Sequence, residues 1–69
     1  MTSKARRVVR DLFDLLVAEP ECLPTEWRRL AAGPRETQTA RIVADYIAGM
    51  TDRFALEEHR VLTDPFARA

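Results

Sequence analysis

A chain of 69 residues has room for one domain at most, and at this size only roughly 60% of the unfolded surface is buried on folding. Active-site clefts need a larger body, so an independent enzyme is disfavoured. Eleven basic and eleven acidic residues cancel, which argues against a general nucleic-acid binder, since phosphate contacts need a basic excess. The one cysteine, Cys22, can form no internal disulfide, and the sequence holds no Cys/His zinc set. A 46% hydrophobic share is too high for a disordered chain. No apolar run approaches the ~18 residues of a membrane span. The basic start, MTSKARRVVR, leads into an amphipathic segment rather than a secretory core. The expected setting is the cytoplasm, without a membrane.

In chain order, apolar residues at Ala5, Val8, Val9, Leu12, Phe13, Leu16 and Val17 form a helical stripe, predicting a helix over 4–18. Thr2 or Ser3 can cap it. Arg7 with Asp11, and Arg10 with Asp14, are candidate i,i+4 pairs worth about 0.2–0.5 kcal/mol each. Pro20 stops the helix because it lacks the amide N–H. A second, two-turn helix is expected over 25–32, with Glu26 in the first turn and Trp27, Leu30 and Ala31 on one face. Too short to stand alone, it needs Trp27 docked on its neighbours. Gly33-Pro34 closes the turn.

Apolar residues at Ala40, Val43, Ile47, Met50 and Phe54 then alternate spacings of three and four, predicting a long helix over 35–62. Ile42, Tyr46 and Leu56 widen this stripe. Thr51 is an ambiguous position: it can back-bond within one helix or cap a new one starting at Asp52. A frayed tail is expected over 63–69. No strand alternation or repeat is present, so the expected class is all-α, one helical segment over 1–69. Its apolar stripes are broad for three helices, which favours a partner, a second copy or a larger body to pack against.

The run from Asp45 to Arg60, DYIAGMTDRFALEEHR, resembles the C-terminal signature of bacterial deoxyguanosinetriphosphate triphosphohydrolase-like proteins, dNTP triphosphohydrolases of the HD superfamily. Upstream, KARRVVRDLFDLLVAEPECLPTEWR is similar to the helix, proline turn and LPxxW stretch that precede it in that family. The resemblance covers about Lys4 to Leu62 and departs at Val61, where members often carry an arginine. It implies a three-helix C-terminal fragment of a larger HD-type α-helical enzyme that hydrolyses a dNTP to deoxynucleoside and tripolyphosphate. In the family a His, a His-Asp pair and a later Asp hold the metal, implying Mg²⁺ or Mn²⁺ for the parent enzyme and no cofactor in this chain. The only histidine, His59, is followed by Arg60, so no His-Asp pair exists here. No catalytic or metal residue is expected in the chain. The implied role is structural, or a subunit or effector contact, and the implied partners are the remainder of the parent or another copy of the chain, with dNTP the parent's substrate. The alternative is a non-enzymatic helical module that self-associates through its apolar stripes.

Tyr46, Asp52 and Arg53 are the candidate nucleotide contacts. Tyr46 and Asp52 lie six residues apart, about 600° of helical rotation, so joint action requires a break near Gly49 to Thr51. Against this, Tyr46 can simply pack with its hydroxyl at the surface, while Asp52 caps a helix or pairs with Arg53. Gly49 suggests close approach by another element or, less simply, by a ligand. Lys4, Arg6, Arg7 and Arg10 can meet a triphosphate or form a solvated face. Arg41 and Asp45 are a further candidate pair. His59, near a helix end, reads as structural. Cys22 has no basic neighbour in sequence to activate it as a nucleophile.

Overall fold

The first stripe forms α1, Ser3–Ala18, in a computed structural model that describes residues 3–64, with side chains from Arg6 onward. The Thr2 cap, the core place of Ala5, the side chain of Lys4 and the tail over 65–69 lie outside these. Ser3 is already the first residue of the helix. Glu19 donates its N–H to the Leu15 carbonyl, and the chain then leaves α1 at the proline as expected, through a 3-10 turn at Pro20–Cys22.

The second helix is shorter than the pattern suggests. α2 is Thr25–Arg28, after which Leu30 and Ala31 donate to the Trp27 and Arg28 carbonyls, the tighter i→i+3 bonding of an unwinding end. From there α3 takes over. Thr39 Oγ1 accepts from the Ala32 N–H at 2.9 Å and donates to the Gly33 carbonyl at 2.7 Å. Gln38 donates its side-chain amide to the Leu30 carbonyl at 2.6 Å. Arg35, with φ of 61°, turns its own N–H onto the Val17 carbonyl at 2.9 Å, tying the loop to α1.

The expected helix over 35–62 is two helices, so the described residues form four α-helices rather than three. α3 spans Thr37–Ala48 and α4 spans Asp52–Thr63. Between them, Gly49 and Met50 donate to the Tyr46 and Ile47 carbonyls, and Thr51 is extended with ψ of 161°. Its hydroxyl accepts the Phe54 N–H at 3.1 Å, so Thr51 caps the new helix rather than back-bonding within an old one. Asp52 then occupies the first turn, where the helix dipole favours an acid.

α1 is the platform on which both α3 and α4 pack. Val8 and Leu12 meet Ala55 of α4, while Leu16 meets Val43 of α3 and Leu23, the residue after the 3-10 turn. Ile47 and Leu62 pack against both groups and join them. The fold is all-α, with no strand among the described residues. The break carries a cost to the sequence pattern: Phe54, on the expected stripe, is 49% exposed, and its neighbour Ala55 is buried at 4%.

Charge pairing also differs from expectation. Among the described residues, Arg7–Asp11, Arg10–Asp14 and Arg41–Asp45 do not close. Asp11 instead meets His59 Nε2 at 3.2 Å, a clasp between α1 and α4. The side chain of His59 thus bridges two helices, a contact that its place near a helix end does not announce.

Candidate functional site

The α3–α4 break opens a cleft of about 330 Å³ lined by Trp27, Tyr46, Gly49, Met50, Thr51 and Phe54. Three elements build it. α2 brings Trp27 against the Leu16, Leu23 and Val43 core, and its ring meets that of Tyr46 with centroids 5.4 Å apart, tilted by 53°. This is the docking that a helix of one turn needs to persist. α3 supplies Tyr46 from its last turn, and the cap at Thr51 aims the start of α4, with Phe54, along the other wall.

The walls are apolar, and Tyr46 carries the main polar group. Burial, then the negative charge of Glu58, pushes its hydroxyl above the usual 10.0. Gly49 does not mark close packing between elements: φ is an ordinary −86°, and a Cβ there would meet only the Tyr46 carbonyl, at 3.8 Å.

Two further depressions continue the cleft. One, about 330 Å³, is lined by Glu26, Trp27 and Leu30 and shares Trp27 with it. The other, about 610 Å³, is lined by Thr51, Arg53, Phe54, Leu56, Glu57 and Arg60 and shares Thr51 and Phe54. Together they form one track from Leu30 to Leu56. It contains the large hydrophobic side chains that stand exposed among the described residues: Leu30 at 54%, Phe54 at 49% and Leu56 at 42%. Within it, Arg60 donates to Glu57 at 2.6 and 3.4 Å, holding that carboxyl below its usual range through the hydrogen bond and then the opposite charge.

The candidate nucleotide contacts are therefore divided. Tyr46 lines the central cleft and Arg53 the neighbouring depression, while Asp52 lines neither, and Asp52 and Arg53 do not pair. The required break exists, yet it does not gather the three on one ligand-sized space. Arg6 and Arg10 border a separate groove of about 540 Å³ between α1 and α3, with Val9, Phe13 and Ala44. Among the described residues, no three His, Cys, Asp or Glu side chains converge as a metal set, so they do not fit the HD metal centre. Leu30, expected on the docked face with Trp27 and Ala31, stands exposed instead. Sequence reasoning missed Thr39 and Ala55: the polar run Glu36-Thr37-Gln38-Thr39, a helix-start signature, is the signal for the first, and nothing local marks the second.

The model of the phosphohydrolase-associated domain matches residues 1–61. The chain belongs to that family. It is 64% identical over 58 residues to a deoxyguanosinetriphosphate triphosphohydrolase-like protein of Cereibacter sphaeroides (strain ATCC 17029), covering 83% of this chain and 15% of that one. Proteins of the same name from Parvibaculum lavamentivorans and Caulobacter sp. (strain K31) are 58% identical over 62 residues and 55% over 60. These cover 90% and 87% of this chain, and 16% and 15% of the relatives. This phosphohydrolase-associated chain thus spans about 15% of the relatives' length. No solved structure matches it.

Proposed function

We propose that the chain is the helical, C-terminal, phosphohydrolase-associated part of a dNTP triphosphohydrolase, an enzyme that converts a dNTP to deoxynucleoside and tripolyphosphate. The observation that carries this reading is the family match over residues 1–61 together with relatives whose names state a triphosphohydrolase likeness. In this reading the metal, Mg²⁺ or Mn²⁺, is held by another part of the enzyme, which accords with His59, the only histidine of the sequence, meeting Asp11 and being followed by Arg60 rather than Asp. What this chain supplies is a rigid helical body, set on α1, that packs against the catalytic part in the cytoplasm. No helix among the described residues is long and apolar enough to cross a membrane. Nucleotide contact by Tyr46 or Arg53 would be an addition to that role, made from two different depressions.

The test replaces the matched stretch of the Cereibacter relative with residues 1–61 of this chain. Mn²⁺-dependent release of deoxynucleoside should disappear on deleting the stretch and return on the replacement, while the 69-residue chain alone spares every dNTP. An intact relative that binds metal yet hydrolyses no dNTP sinks the reading. The exposed Leu30, Phe54 and Leu56 favour a second reading, a non-enzymatic module that pairs with its own copy. Sedimentation of the chain as a discrete dimer, with the replacement inactive, would select it.

A further inference from the structure

We infer that the Leu30-to-Leu56 track is the surface that docks the rest of the phosphohydrolase, and that its occupant is one apolar segment with a basic residue at one end and a carboxylate at the other. This rests on the reading above and names the face through which it operates. Three observations support it. The exposed large hydrophobics fall on one continuous track through Trp27 and Phe54, the aromatic anchoring that buried interface centres favour. Its two ends carry opposite charges that nothing in the fold answers: Glu26 beside Leu30, and Arg53 beside Phe54, neither in an ion pair among the described residues. Finally, the relatives are several times longer than the 58 to 62 residues they share with this chain, so a body large enough to cover the track accompanies it there.

The separate groove between α1 and α3 gives the internal control. It shares no lining residue with the track, and its rim carries Arg6 and Arg10, one sign only.

The experiment uses the replacement protein described above, with Leu30→Asp and Leu56→Asp combined on the track, and Ala44→Arg in the control groove. All three positions are exposed, so the same substitutions in the 69-residue chain should leave its unfolding unchanged. In the replacement protein the track variant should lose dNTP hydrolysis, lower the melting temperature by roughly 4 °C or more, and expose the helical part to limited proteolysis. Ala44→Arg should behave as its parent. The inference is overturned if the track variant matches the parent, or if Ala44→Arg is the damaging one. It is overturned in favour of a second copy if the 69-residue chain forms a dimer that Leu56→Asp dissociates. It is overturned in favour of a nucleotide if dGTP shifts the chain's melting temperature and the track variant abolishes that shift. A replacement protein inactive before any substitution, beside an active relative, instead overturns the functional reading itself.

Discussion

The two connections flanking α3 do similar geometric work by different means. The one before it, from Arg29 to Glu36, is stitched down by Thr39, Gln38 and the Arg35 amide. The one after it, Gly49 to Thr51, is held by short backbone turns and a single side-chain cap. The stitched loop lies over a fully buried Thr39, whereas the capped link borders the open cleft. A connection that sits over the core must satisfy its backbone internally; one at a recognition surface needs only its direction fixed.

That contrast can be broken from both sides. Thr39→Val keeps the volume near its native value but leaves the Ala32 N–H and Gly33 carbonyl without their partner, and should cost about 2–3 kcal/mol in urea unfolding. Thr51→Ala removes one cap bond and should cost about 1 kcal/mol, with α4 helicity falling first in amide exchange. If the order of these two losses reversed, the stitched loop would not be the firmer connection. Arg35→Gly should raise stability by about 0.5–1 kcal/mol, because glycine accepts the positive φ while keeping the N–H bonded to Val17. A loss at that position would mean the arginine side chain matters more than its backbone.

The smallest effect is on the cleft side. Tyr46 is the only tyrosine, and its hydroxyl titrates above 10.0 because burial, then Glu58, disfavours the anion. A raised folded value means that this contribution is fully present below pH 10.0 and is lost as pH rises through the folded value. Tyrosinate absorbance should show a midpoint above 10.0, moved part of the way back by Glu58→Gln. A midpoint unmoved by unfolding the chain would contradict the burial.

Much of this fold was legible in sequence because α1 is an uninterrupted amphipathic repeat, and Pro20 ends it through a missing N–H that no tertiary context restores. The long stripe from Ala40 to Phe54 misled for a physical reason. Spacings of three and four continue through Gly49-Met50-Thr51 as if the backbone did, yet glycine lowers helix propensity and Thr51 offers a cap, so the chain turns there. One change of direction sends Phe54 outward and Ala55 inward, a swap that no local pattern announces. The cleft was harder still to read. Its walls come from α2, α3 and α4, and only tertiary packing brings Trp27 to Tyr46. Joint action of Tyr46 and Asp52 needs a break between them; the chain does turn there, with Tyr46 on the central cleft, Arg53 on the neighbouring depression and Asp52 on neither.

The tilted contact between Trp27 and Tyr46 has an optical consequence. Each is the only residue of its kind in the chain, and their rings lie 5.4 Å apart. Light absorbed by the phenol should therefore pass to the indole while α2 is seated, and tyrosine emission should emerge only when α2 lifts away. The chain carries its own donor and acceptor, and their ratio reports the seating of a single helical turn.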